Sequence, residues 1–268
     1  MNNETECFAL VTGASKGLGK AFCIELAKMK INVLLVALPN EDLESFSNYL
    51  KEYGIKSFYK EVDLLIKEDI IEMVKWVNNN FNISFLINNV GRGGTISFEK
   101  SNINDIDGII QLNIRAMALI THQLLPNLKK QKQSYILNVS SMASFSPIGY
   151  KTVYPASKSF IQSFSLGLYQ ELKNTNVFVS VVHPGPMKTN PDVTKRTEKQ
   201  GILGKAGELT PERVAKRSLL RLLKKDSGII IGWFNKVQWV LIKITPLAIR
   251  LPFITRIAKR EIDSDLDH

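Results

Sequence analysis

Short, mostly apolar runs recur along this chain at 7–12, 31–37, 83–87, 134–139 and 177–182, each giving way to a turn rich in glycine, proline or small polar residues. Runs of that length and continuity predict strands buried on both faces. A mixed run at 56–62, closing on Asp63, and a last one at 228–231 bring the strands to about seven. Between them, apolar residues return every three or four positions at 21–27, 40–53, 67–80 and 103–128, and again from Tyr154 through Phe164, Leu168 and Leu172. That period predicts helices with one buried stripe. Thr210-Pro211-Glu212 reads as the capped start of a further helix. Strands alternating with helices predict an α/β fold, a Rossmann-type doubly wound parallel sheet with helices on both faces, because a helix must carry the chain back before a parallel strand can pair.

The polar residues sit where this architecture places ligands. The first strand ends in Gly13-Ala14-Ser15-Lys16-Gly17-Leu18-Gly19 and opens directly into a helix. Glycines there let backbone N–H groups approach a pyrophosphate, and the helix N-terminus favours its charge. The spacing is Gly-x-x-x-Gly-x-Gly rather than Gly-x-Gly-x-x-Gly. The second strand runs on into Leu38-Pro39-Asn40 with no acidic residue to hold a ribose 2′-hydroxyl. With Lys16 in the loop, the pattern favours NADP(H) over NAD(H). Asp63 at the third strand's end is a candidate acceptor for an adenine amino group, or a helix or turn cap. Asn88-Asn89-Val90-Gly91, Ser140-Ser141 and His183-Pro184-Gly185-Pro186-Met187-Lys188-Thr189 also follow strand ends, and Asn113 interrupts an apolar helix face.

Tyr154 and Lys158 are four residues apart, so on a helix they share a face. An ammonium beside a phenol favours the phenolate and draws its pKa down from about 10, which suits a general acid. The three histidines, His122, His183 and His268, are far apart in sequence, and no metal site is expected; His183 is expected to pack in the core.

Composition narrows the class. The 268 residues are 44% hydrophobic and 22% charged, as expected of one large domain with a sizeable core. Two cysteines without metal-ligand spacing fit a reducing compartment, and the polar, acidic start Met-Asn-Asn-Glu-Thr-Glu carries no export pattern, so a cytoplasmic location is expected. The net charge of +10 has no nucleic-acid motif to carry it. Residues 1–232 read as a single dinucleotide-binding and catalytic domain, and 233–268 as a basic, hydrophobic C-terminal segment. Between 233 and 260, Lys236, Lys243 and Arg250 recur every seven residues among Trp, Ile, Leu and Phe, followed by Arg256, Lys259 and Arg260. No apolar run reaches the ~20 residues that span a bilayer. Two expectations stand side by side: peripheral contact with an anionic membrane surface, on its inner face, or packing on the chain's own domain or a partner subunit. Pro246 and Pro252 are expected to break the segment into short helices.

The ordered motifs TGASKGLG at 12–19, Asp63, NNVG at 88–91, Asn113, Ser140-Ser141, Tyr154 with Lys158, and HPGPMKT at 183–189 resemble the short-chain dehydrogenase/reductase family across residues 7–232. SFSLGLYQEL at 163–172 and VVHPGPMKTN at 181–190 are most similar to its 3-ketoacyl, 17β-hydroxysteroid and 3-ketosphinganine reductases. The resemblance implies that Ser141, thirteen residues before Tyr154, hydrogen-bonds a substrate carbonyl. It implies that Tyr154 donates the proton, that Lys158 holds the nicotinamide ribose and keeps Tyr154 acidic, and that Asn113 fixes a water in a proton relay. It places Gly13, Gly17 and Gly19 on the pyrophosphate, Asp63 on the adenine, Asn89 near the adenine ribose, and Pro184, Gly185 and Thr189 on the nicotinamide side. Ser15, Lys16, Leu18, Leu64, Val90, Gly91, Tyr154, Lys158 and Met187 complete the implied cofactor-binding set. Residues 194–201 would form a mobile lid, and the helices around 113 and 165 a homo-oligomer interface. Val90 stands where alanine is commoner, and Leu38 where NADP-using relatives often place an arginine. The implied function is NADPH-dependent reduction of a ketone to a secondary alcohol on a hydrophobic, lipid-like substrate. The alternatives are a small polar carbonyl or sugar-alcohol substrate, or a non-catalytic NADP-binding scaffold.

Overall fold

The computed structural model describes residues 6–187 and 209–266, with side chains through 260. Seven strands, β1 (Cys7–Thr12), β2 (Asn32–Ala37), β3 (Ser57–Glu61), β4 (Asn82–Asn88), β5 (Ser134–Val139), β6 (Val177–His183) and β7 (Gly228–Ile230), form one parallel sheet in the order β3-β2-β1-β4-β5-β6-β7. The continuous apolar runs follow from two-sided burial. Ala9, Val11, Val33 and Leu35 face a core shared with α1 (Gly17–Lys28), α2 (Leu43–Lys51) and α7 (Pro211–Leu223). Their neighbours Leu10, Leu34, Val36 and Leu86 face the opposite core, built with α3 (Lys67–Asn80), α5 (Met117–Lys130) and the end of α6 (Val153–Glu171). Side chains alternate across a strand, so neither face can be polar.

Chain order reverses between β1 and β4. From β1 the sheet grows through β2 to β3 in one direction, and from β4 through β5 to β7 in the other. The two sets of crossover helices leave a crevice at the carboxyl ends of β1 and β4, the usual ligand site of open α/β sheets.

Two elements differ from the sequence reading. The helix expected over 103–128 is divided into α4 (Ile103–Ile110), a π-helical turn (Gln111–Ala116) and α5. The extra residue in a π turn shifts the phase of the helix beyond it, and here it turns Asn113 into the interior, where it is 1% exposed. In the tail, α8 (Trp233–Ile244) ends ahead of Pro246 as expected, but α9 (Leu247–Leu266) runs straight through Pro252. That proline lies just past the first turn, so the helix forfeits one hydrogen bond, to the Ala248 carbonyl, and continues. Pro155 falls inside the first turn of α6, where its missing N–H had no partner.

Candidate active site

The crevice is built from the glycine turn upward. Gly13 and Gly17 have φ of +65° and +51°, and a Cβ on Gly19 would lie 1.9 Å from the Gly13 carbonyl oxygen. Only glycines permit this turn. No side chain caps the start of α1, so its first N–H groups point outward without an internal acceptor. An uncapped helix N-terminus behind a glycine turn fits the pyrophosphate of a dinucleotide.

A polar lattice holds the turn in place. Asn89 Nδ2 donates to the carbonyls of Thr12 (3.0 Å) and Gly13 (3.2 Å), and Thr12 Oγ1 accepts from the N–H groups of Asn89 (3.0 Å) and Val90 (3.2 Å). Asn89 therefore braces the loop that the cofactor would meet. Behind it, Asn88 Nδ2 donates to Thr121 Oγ1 (2.9 Å) and Asn138 Oδ1 (2.8 Å), and Asn138 Nδ2 donates to Ser165 Oγ (2.9 Å). Of this buried ladder the sequence reading named Asn88, within NNVG at 88–91, and gave no role to Thr121, Asn138 or Ser165; for Asn138 a polar residue inside an apolar strand was the available signal.

At the end of β2 the structure adds a residue that the sequence reading passed over. Glu41 turns back onto the glycine loop, its carboxylate 2.6 Å from Lys16 Nζ and hydrogen-bonded to Ser15. These hydrogen bonds, the one with Lys16 foremost, hold the Glu41 carboxyl below its ordinary value. Lys16 thus already has an anionic neighbour at the place where a ribose 2′ substituent would arrive. Asp63 Oδ1 accepts from Leu65 N at 2.9 Å, closing a local turn ahead of α3, whose own start has no side-chain cap. Leu64 and Leu18 are core side chains and could meet a cofactor only through their backbones.

The serine, tyrosine and lysine meet between β5 and α6. Ser140 Oγ donates to the Lys158 carbonyl (2.8 Å), which leaves Ser141 as the serine hydrogen-bonded to Tyr154. Lys158 is 4% exposed; its Nζ donates to the Val139 carbonyl at 3.0 Å and lies 5.8 Å from the Tyr154 ring centroid. Burial lowers Lys158 to a pKa of about 8. Burial also pushes the Tyr154 phenol up, against the opposing hydrogen bond from Ser141. This corrects the expectation that Lys158 depresses Tyr154: desolvation outweighs an ammonium that is aimed at a carbonyl rather than at the phenol oxygen.

Asn113 joins three elements. Its Nδ2 donates to the Arg92 carbonyl and to Ser157 Oγ, its Oδ1 accepts from Arg92 N, each at 2.9 Å, and Ser157 Oγ donates to the Tyr154 carbonyl at 2.7 Å. A Cβ on Gly93 would fall 2.6 Å from the Tyr154 ring, so only glycine fits there, and one on Gly91 would crowd Asn113 Oδ1 at 3.0 Å and Lys158 Nζ at 3.2 Å. Gly93 was missed in the sequence, where Arg92-Gly93-Gly94 offered only a loop composition.

His183 packs below this group rather than in it. Its Nδ1 lies 3.0 Å from Ser144 Oγ and 3.3 Å from the Ser141 carbonyl, its ring lies against Phe145 at 4.5 Å, and burial lowers it to a pKa of about 4. Pro184 accepts from Met142 N at 2.9 Å, and Gly185 is pressed against Asn235 of α8, which would sit 2.6 Å from any Cβ there. Met187 bridges to Leu209. Thr189 and the 194–201 segment lie outside the described residues. Among the described residues no group of His, Cys, Asp and Glu is placed to hold a metal ion.

The fold and this site together define an oxidoreductase of the dinucleotide-binding α/β class. The short chain dehydrogenase family model matches residues 7–200, and the chain belongs to that family. The very-long-chain 3-oxoacyl-CoA reductase of Anas platyrhynchos is 34% identical over 182 residues, a match covering 66% of this chain and 58% of the relative's length. The enzyme of the same name from Macaca fascicularis is 29% identical over 269 residues, covering 94% of this chain and 83% of its own. A short-chain dehydrogenase from Sphingobium yanoikuyae, solved in complex with NADPH, shares the fold with a TM-score of 0.76 at 22% identity, over 88% of this chain and 92% of that one.

Proposed function

We propose that this protein reduces a ketone to a secondary alcohol with NADPH, on a hydrophobic, lipid-like substrate. The observation that carries the reading is the constellation at the crevice: the Tyr154 phenol, hydrogen-bonded to Ser141 and backed by buried Lys158, at the carboxyl edge of the sheet. The Ser141 hydroxyl orients the carbonyl oxygen, and the Tyr154 O–H delivers a proton to that oxygen as charge develops on it. A raised phenol pKa keeps Tyr154 protonated at neutral pH, so it stands ready in the donor form. Lys158, with a pKa near 8, stays largely cationic below that pH, its ammonium held by the Val139 carbonyl 5.8 Å from the Tyr154 ring centroid. Asn113 holds α6 in register through Ser157, and Gly93, with no side chain, lets the loop approach the Tyr154 ring closely. The nicotinamide, when bound, supplies the hydride.

Support for a lipid-like ketone comes from relatives named very-long-chain 3-oxoacyl-CoA reductases. It comes also from the apolar C-terminal helices that pack beside the Ser141 turn, where Phe145 meets Trp239 at 6.3 Å. Support for NADPH comes from Lys16 and from the neighbour solved with NADPH. The test is NADPH oxidation by purified protein with 3-keto substrates of increasing chain length in mixed micelles, with NADH alongside. Rates that rise with chain length are expected. A preference for short, water-soluble ketones would overturn the lipid-like substrate, and bound NADPH without turnover on any ketone would overturn the enzymatic reading.

A further inference from the structure

The two C-terminal helices have an inner face that is accounted for and an outer face that is not. Inward, Asn235 and Ala258 are buried, Trp239 packs on Phe145, and Thr255 Oγ1 accepts from Gly149 N at 3.1 Å. The Arg250 guanidinium donates to the Ile242 carbonyl and ties the two helices together. Outward, α8 presents Trp233, Val237, Val240, Leu241 and Ile244, exposed by 76%, 47%, 47%, 52% and 69%. Their spacing puts all five on one side of the helix. Past Pro246, α9 adds Leu247, Ile249 and Phe253, exposed by 47%, 65% and 58%. Single exposed apolar residues need no explanation, but five along one side of a helix do.

Charge identifies what covers it. Residues 233–260 contain Lys236, Lys243, Arg250, Arg256, Lys259 and Arg260 and no Asp or Glu; acidic residues resume only at Glu261. On α8, Lys236 and Lys243 both fall along one margin of the stripe, and Lys243 is held over the Trp239 ring at 4.1 Å. A second copy meeting this face about a two-fold axis would bring the same cations together without counter-charges. An anionic lipid surface supplies the complement, an apolar interior for the stripe and phosphate headgroups for its basic border. Among the described residues no helix is long and apolar enough to cross a bilayer, so the contact is parallel to the surface.

We propose that the outer face of α8 and the start of α9 is a docking surface for anionic membranes. It rests on and deepens the lipid-like substrate reading: the inner face of α8 packs on the Met142–Phe145 turn directly after Ser141, so docking sets the site beside the bilayer that holds an apolar substrate.

The test uses the full-length chain and phosphatidylcholine vesicles with and without phosphatidylserine. Co-sedimentation at least tenfold stronger on the phosphatidylserine vesicles is expected. Trp233→Ser with Ile244→Ser should weaken it at least tenfold, and Lys236→Glu with Lys243→Glu should remove the phosphatidylserine preference. All four positions are exposed, so turnover of a soluble ketone should be unchanged. Protein that stays in the supernatant, or variants that pellet like the parent, overturn the proposal. So does a dimer in light scattering that the serine variants dissociate, because the occupant is then a second copy. Vesicle binding with activity confined to short ketones would leave the docking surface standing and overturn the substrate reading. Long-chain activity in detergent without vesicle binding would do the reverse.

Discussion

Tyr154 lies against a residue that has no side chain, and this contact is the most sensitive point of the site. A Cβ on Gly93 would approach the ring to 2.6 Å, against a ring that cannot yield as a flexible side chain would. Gly93→Ala is therefore expected to lower kcat by at least about tenfold while leaving the fold and dinucleotide binding intact, a loss of roughly 1.4 kcal/mol in transition-state stabilisation. Tyr154→Phe should remove about 10²–10⁴-fold of the rate, the range for a general acid, with the dissociation constant for NADPH unchanged. Lys158 carries a stability consequence. Its pKa falls from 10.5 to about 8, so between those values the unfolded chain binds more protons and stability rises with pH; below about pH 8 the burial penalty is fully felt. Lys158→Met should raise the unfolding free energy at pH 7 by about 1–3 kcal/mol, after allowing for the lost bond to the Val139 carbonyl, while abolishing turnover. Denaturant melts of the two proteins at pH 7 and pH 10 should differ less at the higher pH. Glu41 sets the remaining residue-scale expectation. A 2′-phosphate must compete with its carboxylate for Lys16, so Glu41→Gln should tighten NADP⁺ relative to NAD⁺ by several-fold in titration calorimetry, and Lys16→Ala should reverse that shift.

The π turn between α4 and α5 is the element on which the site depends. It shifts the phase of a long helix at Asn113, whose side chain meets Arg92 and Ser157, two contacts that an uninterrupted α-helix with the same sequence would place elsewhere. Asn113→Leu removes the two partly buried bonds to the Arg92 backbone and the buried bond to Ser157 Oγ. It should cost about 1–3 kcal/mol of stability and slow turnover through a displaced Tyr154. Asn113→Asp tests the same point by charge, and a melt that recovers toward the parent value as the pH is lowered would confirm the buried position. The turn was not legible in the sequence, because 103–128 keeps an apolar period throughout and nothing local marks the extra residue. The opposite error arose at Pro252, where a strong local signal for a break was overridden: α9 anchors Thr255 and Ala258 on the domain, and that packing outweighs one missing hydrogen bond.

At the scale of the molecule, the sheet supplies a rigid plane with two apolar faces, and its carboxyl edge collects groups from six strands or their following turns. The C-terminal helices close one end of that edge by setting Asn235 against Gly185 and Trp239 against Phe145. Deleting 233–268 should therefore lower the melting temperature of the whole protein, as well as removing any vesicle binding, because it uncovers the Met142–Phe145 turn and the Pro184-Gly185 loop. An unchanged melt for the truncated chain would mean that the helices contribute no stability to the domain.

The sequence alone determined the features that depend on near neighbours in the chain. The two-sided strands, their alternation with helices, the glycine turn opening into α1, and the shared face of Tyr154 and Lys158 all follow from periodicity and from the backbone angles that particular residues allow. Tertiary structure decided whatever depends on segments that meet only after folding. It brought Glu41 onto Lys16, Gly93 onto Tyr154 and Asn89 onto the glycine turn, inserted the π turn beneath Asn113, and raised rather than lowered the Tyr154 pKa. Spacing along a chain specifies direction on a helix or strand. Distance, burial and the competition between a charge and its desolvation arise only from packing.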